Sequence, residues 1–394
     1  MIIQPKVREY ICTTAHPLGC AQSVRNQAKY AQRLGTVLGP RKVLIIGCST
    51  GYGLASRITA LENCQAATLG IMFERPSNGK RTATPGWYNT AEFHHIAEEK
   101  GIYAKTVNGD AFSREIKEKT IQVIREDLGK VDLVVYSLAA PRRTDIQGRT
   151  WNSCLKTTGK AFTEKSLDLR TNQIVEKTIF PATEEEVEST IKVMGGEDWA
   201  DWIRALKEAD VLTENAMTLA YSYIGPELTY PIYYHGTIGA AKQHLHHTMK
   251  EINETWPDVH ACISINKGLV TQASAAIPVV PLYFSILYKV MKEAGTHENC
   301  IQQITRLFTG KLFGPTGMDT DNDGFIRMDD LELKPEIQNR VKECWKAVTT
   351  ENLKDYCDLE GYWEDFYHMF GFGYSNIDYN QDVNPEVTIP DLVS

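Results

Sequence analysis

The stretch from Arg41 to Glu62, RKVLIIGCSTGYGLASRITALE, constrains this chain more than any other. Its apolar run has the length of a buried strand, and apolar positions at helical spacing follow Gly53. A strand, a tight glycine turn and a helix in that order imply a parallel neighbour, because parallel strands need a crossover connection. The pattern then repeats. AATLGIMFE (66–74), IYAKTVNGDA (102–111), VDLVVYSLA (131–139) and VHACISINKGLV (259–270) read as further strands, and IKEKTIQVIREDLG (116–129) reads as an amphipathic helix. Such alternation predicts an α/β fold in which a doubly wound parallel sheet carries helices on both faces.

Two regions depart from it. Between Pro141 and about Met194 the chain is rich in Thr and Lys with short alternating pieces, as expected of a hairpin insertion. From about Thr296 it reads as helical, then loop-like with a polar tail. Neither a repeat nor a linker interrupts it. One enlarged domain over 1–394 is expected, with a core at 41–140 and 210–295, an insertion at 141–195 and an extension at 296–394.

A formal net charge of -8 speaks against a sequence-independent nucleic-acid binder, whose footprint is basic. The nine cysteines are scattered, odd in number and never spaced C-x-x-C, which favours reduced thiols over disulfides or a zinc site and points to the cytoplasm. No signal peptide is visible in MIIQPKVREYICTTAHPLGC. The most apolar run, AAIPVVPLYFSILYKVM, is broken by Pro278 and Pro281, so no membrane span is expected.

Gly47, Gly51 and Gly53 give the spacing G-x-x-x-G-x-G, the short-chain dehydrogenase form of a dinucleotide turn on a Rossmann-like sheet. Glycines there let backbone amides and a helix N-terminus approach a pyrophosphate. A methyltransferase turn looks similar, but the acidic residue usual two places before the first glycine is Ile45 here. Glu74 ends the second strand, where a carboxylate accepts from ribose hydroxyls and repels a 2′-phosphate. NADH is therefore expected over NADPH, although Arg75, Lys80 and Arg81 follow closely.

YSYIGPELTYPIYYHGTIGAAK (221–242) places five tyrosines ahead of Lys242. GTIGAAKQHLHHTMKEINETW reads as a helix capped by Thr237, with Lys242 in its second turn. A lysine beside a phenol lowers its pKa. In the common short-chain enzymes the two are four residues apart, a spacing absent here. Helical geometry alone does not choose among Tyr230, Tyr233 and Tyr234.

Tyr233, eight intervening residues and Lys242 match the Y-x8-K signature of FabV-type enoyl-acyl-carrier-protein reductases and bacterial trans-2-enoyl-CoA reductases. AHPLGC, GCSTGYGLASRITA, TPGWYN, VYSLAAP, KVMGGEDW, LAYSYIGPE, GTIGAAK and NKGLVTQASAAIPVVPLY resemble the same family along nearly the whole chain. The resemblance implies NADH-dependent reduction of the trans-2 double bond of enoyl thioesters in fatty acid synthesis, by a monomer. It assigns proton donation to Tyr233, cofactor-ribose binding and phenol tuning to Lys242, and the substrate carbonyl contact to Tyr223. It lines the NADH site with Gly47, Cys48, Ser49, Thr50, Gly51, Tyr52, Gly53, Phe73, Glu74, Asp110, Ala111, Leu138, Ala139, Leu269, Val270 and Thr271. Some relatives carry further lysines beside Lys242, where this chain has Ala240, Ala241 and Gln243. Tyr221, Tyr230 and Tyr234 are expected to pack, and the apolar run after Thr271 to hold the acyl chain.

The expected partner is an enoyl-CoA or an enoyl-acyl carrier protein, with Arg142, Arg143 and Lys156 as a docking patch for the latter. No metal is expected. DTDNDGFIRMDD (319–330) imitates a calcium loop but has Asp330 at the place of the bidentate glutamate, and His244, His246 and His247 lack a fitting third ligand. A non-catalytic NAD(H)-binding regulator and a methyltransferase are the alternatives.

Overall fold

The computed structural model describes residues 1–8, 11–138, 140–271, 274 and 277–394. Its centre is an eight-stranded sheet. The strands are β3 (Lys42–Ile46), β4 (Ala67–Met72), β5 (Ala104–Asn108), β6 (Val131–Tyr136), β11 (Leu212–Ser222), β12 (Val259–Ile265), β13 (Phe325–Arg327) and β14 (Leu392–Val393). They lie in the order β13-β12-β11-β6-β3-β4-β5-β14, and every pairing is parallel. The order reverses between β3 and β6, the topological switch point where such sheets bind ligands at the carboxyl ends of their strands.

Alternate residues of β3 explain why both faces are covered. Val43 and Ile45 enter a core with α1 (Pro17–Gln32), α2 (Gly51–Cys64), α3 (Pro85–Glu99) and α9 (Cys300–Arg306). Leu44 and Ile46 enter another with α4 (Arg114–Val123), α6 (Glu197–Glu208) and α7 (Thr237–Thr255). A strand buried on both faces reads as a continuous apolar run, which is how KVLII reads. A third core joins α8 (Val280–Glu293), α10 (Pro335–Ala347) and α12 (Leu359–His368) to the N-terminal Ile3 and Cys12. Among the described residues, no helix is long and apolar enough to cross a membrane.

The insertion holds two antiparallel hairpins, Arg142–Thr144 with Thr150–Asn152 and Phe162–Asp168 with Gln173–Ile179, before α5 (Glu184–Met194). It also grips the start of α7. The Thr237 amide donates to the Lys156 carbonyl at 2.9 Å and its hydroxyl to the Cys154 carbonyl at 2.6 Å. Thr237 is therefore the first helical residue and Gly236 the cap, a correction of the expected Thr237 cap.

Three strands escape the sequence pattern. In β11 the exposed Glu214 and Asn215 interrupt the alternation, Asn215 has a positive φ of 59°, and the pairing with β6 shifts register between Leu212 and Met217. That irregularity hides its longest strand behind two polar residues. β13 and β14 have only three and two residues and come from the stretch expected to be helix and loop, yet they form the two rims of the sheet.

Candidate active site

The glycine turn joins β3 to α2 at the switch point. Gly51 opens the helix with a φ of +54°, and a Cβ there would meet no atom within 4 Å. The space belongs to an open cradle, not to the protein's own packing. Gly53 has the opposite role: its Cβ would come within 1.8 Å of the Gly47 carbonyl. Thr50 caps α2 without a side-chain hydrogen bond, so the first-turn amides keep their donors for an anion. The turn fits a pyrophosphate.

Glu74 follows β4. Its carboxylate accepts from the Ser49 hydroxyl at 2.6 Å, while its amide and carbonyl are tied to the Asn108 side chain at 2.9 and 3.0 Å. It faces the N-terminus of α3, where Gly86 leaves it room: a Cβ on Gly86 would lie 2.0 Å from Glu74 Oε1. Burial raises the Glu74 pKa, opposed by hydrogen bonds from Ser49 and Thr84. A cleft of about 730 Å³ opens beside it, with Thr50 and Glu74 on its wall and Arg75, Lys80 and Arg81 on its rim. Phe73 is 76% exposed, an unusual position for a phenylalanine and a suitable one for an adenine face.

The other strand ends contribute as follows. The Ala111 carbonyl accepts from Lys117 Nζ at 3.2 Å and from the Trp202 indole at 3.1 Å, and Asp110 Oδ1 accepts from the Phe112 amide at 3.0 Å. Lys117 is in turn ion-paired with buried Asp198 at 2.7 Å. Leu138 follows β6; Ala139 lies outside the described residues. After β12, the Val270 amide donates to the Tyr288 hydroxyl at 3.0 Å and the Thr271 amide to Ser274 Oγ at 2.8 Å. Two residues of the turn face inward. Cys48 is fully buried with its sulfur 3.6 Å from Arg57 Nη1, so only its backbone borders the cradle. The Tyr52 hydroxyl donates to the Lys267 carbonyl at 2.8 Å, tying α2 to the loop after β12.

Tyr223 and Tyr233 meet edge to face. Tyr233 sits in the turn leading to α7 and Tyr223 just beyond β11. Both are half-buried, and burial pushes both phenols above their ordinary pKa. Lys242 Nζ donates to the Tyr221 carbonyl at 3.4 Å, and burial lowers its pKa to about 8. Tyr233 is raised by burial alone. The phenol-lowering charge expected from Lys242 is therefore not part of this arrangement, and the lysine points to the end of β11 instead. Tyr221 bonds Ser56 at 2.5 Å, and Tyr230 packs on Tyr234 with centroids 5.0 Å apart, as packing residues do.

Sequence reasoning missed Glu332, Tyr283 and Lys267. Glu332 Oε1 lies 2.6 Å from the Tyr283 hydroxyl and 3.0 Å from that of Tyr223, and Oε2 accepts from the Gly268 amide at 2.7 Å. The one available signal, a glutamate between the two leucines of LEL, is weak beside the acidic run that precedes it.

The remaining candidates have other partners. In the calcium-like loop Asp321 and Asp329 pair with Arg327, and Asp330 pairs with Arg306 and Lys311. Among the described residues no three His, Cys, Asp or Glu are grouped to hold a metal. The expected docking patch is corrected at Arg143, which is buried against Glu197 and Asp201; Arg142 is exposed, and half-buried Lys156 is paired with Glu186. His244 Nδ1 accepts from the Gly196 amide at 3.1 Å. All nine cysteines are free.

Residues 81–313 match the model described as the trans-2-enoyl-CoA reductase catalytic region, and residues 2–79 match the NAD(P)H binding domain of trans-2-enoyl-CoA reductase. The chain belongs to the trans-2-enoyl-CoA reductase family. A trans-2-enoyl-CoA reductase [NADH] of Ruminiclostridium cellulolyticum is 53% identical, covering 100% of both chains. An enoyl-[acyl-carrier-protein] reductase [NADH] of Flavobacterium johnsoniae is 52% identical, again over 100% of both. The crystal structure of Treponema denticola trans-2-enoyl-CoA reductase in complex with NAD superposes with a TM-score of 0.96 at 46% identity, covering 99% of this chain and 100% of that one. Residues 320–383 match a third model, described as the enoyl reductase FAD binding domain. In this member of the family they do not fit a flavin: Tyr362, Phe366 and Phe370 are buried in the core around α8, and Glu332 and Gln338 bond to Tyr283.

Proposed function

We propose that this chain is an NADH-dependent reductase that saturates the trans-2 double bond of enoyl thioesters, acting as a cytoplasmic monomer in fatty acid synthesis. The observation that carries the reading is the pairing of Tyr223 and Tyr233 at the carboxyl edge of a parallel sheet whose switch point holds an open glycine cradle. Free cysteines are in keeping with a reducing compartment.

When bound, the nicotinamide supplies the hydride for C3 of the enoyl group. The chain supplies everything else. The turn from Gly47 to Gly53 receives the pyrophosphate, Glu74 and Phe73 receive the adenosine, and the loops at Asp110–Ala111, Leu138 and Leu269–Thr271 complete the wall. Lys242, held near the end of β11, offers its ammonium to the ribose. The Tyr223 hydroxyl faces the thioester oxygen, where negative charge develops. Tyr233 keeps its proton because its surroundings are apolar, and it delivers that proton to C2. Packing against Tyr223 holds it in place.

The carrier is coenzyme A or acyl carrier protein, and NADH oxidation by the purified protein decides between them, run with crotonyl-CoA beside a crotonyl carrier-protein substrate and repeated with NADPH. A protein inert with both carriers defeats the reading.

A further inference from the structure

A buried chain of hydrogen bonds ends on Tyr223, and its direction can be worked out from the far end. Gln338 Nε2 donates to the Glu332 backbone carbonyl at 2.8 Å. A carbonyl only accepts, so the amide orientation is fixed. The same nitrogen lies 3.2 Å from the Tyr283 hydroxyl oxygen, which it therefore serves as donor. Tyr283 passes its own single proton to Glu332 Oε1 at 2.6 Å. The Gly268 amide makes Oε2 an acceptor at 2.7 Å.

One contact remains, the 3.0 Å between Oε1 and the Tyr223 hydroxyl. A phenol has one proton. If the carboxyl is ionised, that proton is committed to Oε1 and Tyr223 has nothing to give a thioester oxygen. If the carboxyl is protonated, its O–H donates to the Tyr223 oxygen, and the phenol proton is free to point at substrate. Only the second state gives donors that run in one direction from Gln338 through Tyr283 and Glu332 to Tyr223.

We infer that Glu332 is held as the neutral acid and is the positioning residue that turns the Tyr223 proton outward to the substrate carbonyl. The inference rests on the reductase reading given above. Glu332 is 0% exposed, and burial raises its pKa before any other influence. The groups that face it are Tyr223 beyond β11, Tyr283 on α8 and Lys267 after β12; Gln338 on α10 is uncharged. Tyr52 on α2 also lies close enough to feel the Glu332 charge, whereas Asp365 on α12 acts on Lys267 and Tyr288. Lys267 opposes the shift, yet it donates to the Gly268 carbonyl at 2.9 Å and not to the carboxyl, and burial lowers it to about 8.

Glu332→Gln tests this, because an amide N–H at the Oε1 position keeps the donor to Tyr223 at every pH, although its nitrogen no longer accepts from Tyr283. At saturating NADH, wild type is expected to lose kcat for crotonyl-CoA as pH rises and Glu332 ionises. Glu332→Gln is expected to stay within about threefold of wild type at neutral pH and to lack that alkaline limb. Tyr223→Phe, which keeps the ring, is expected to be slower and equally flat. In the infrared, the wild type should show a protonated-carboxyl C=O band at neutral pH that Glu332→Gln lacks, titrating with the same midpoint as kcat. A limb that persists in Glu332→Gln, or a missing band, overturns the assignment. The band is read without substrate, so an inert wild type would count against the reductase reading while the band still decides Glu332.

Discussion

The ring of Tyr223 meets that of Tyr233 edge to face, with centroids 4.9 Å apart and planes at 83°. This geometry, favoured by the aromatic quadrupole, fixes two hydroxyls relative to each other without a hydrogen bond between them. Removing one oxygen while keeping its ring separates chemistry from packing. Tyr233→Phe should lower kcat by about 10²–10⁴ with the fold and the KM for NADH unchanged. The assay is NADH oxidation with crotonyl-CoA beside a circular dichroism spectrum. A variant with full rate would move proton donation to another group.

Gly86 tests the ribose end. Adding one methyl by Gly86→Ala brings a Cβ within 2.0 Å of Glu74 Oε1 and must displace the carboxylate from Ser49. Losing one charge-assisted hydrogen bond at the cofactor corresponds to about tenfold in affinity. The KM for NADH should rise by that factor while kcat holds. An unchanged KM would mean that Glu74 does not touch the cofactor.

Lys117 and Asp198 form a buried pair whose side chains are 7% and 2% exposed. Lys117→Met strands the Asp198 charge and should cost about 3–5 kcal/mol of stability, read as a lowered urea midpoint. The Ala111 and Phe112 carbonyls lose a donor as well, so cofactor affinity should fall with it. Urea curves that superpose on wild type would show the pair to be dispensable.

The parts of this site written in contiguous sequence were legible, and the parts assembled across the fold were not. The turn from Gly47 to Gly53 announces itself because strand, turn and helix are consecutive. Tyr233 and Lys242 are nine positions apart and are singled out by the family signature alone, since spacing leaves Tyr230 and Tyr234 open. Glu332 stands 109 positions from Tyr223 and shares no local pattern with it. β11 was missed because Glu214 and Asn215 break its alternation at a register shift. The acidic loop from Asp319 to Asp330 hides its partners for the same reason: the cations that pair with it include Arg306 on α9 and Lys311, outside the loop.

If Lys242 holds the cofactor ribose as proposed, cofactor binding is sensitive to pH. Burial lowers it from 10.5 to about 8. Between these values the unfolded chain binds the proton that the folded chain has lost, so this group's contribution to stability rises with pH across that window. Binding runs the other way, because only the ammonium can offer a charged donor to a ribose. NADH affinity, followed by fluorescence titration, should fall as pH is raised through about 8 and stay level in Lys242→Arg. A wild-type affinity that is flat across the window would remove Lys242 from the cofactor.

The insertion's hold on the start of α7 also orders events in time. Thr237 is bonded to Cys154 and Lys156, partners 83 and 81 positions earlier. Closing a loop of that length costs entropy before any of its bonds form. The turn that presents Tyr233 should therefore mature after the local strand–helix units around the glycine cradle, and a refolding chain should recover its helix signal before it recovers turnover.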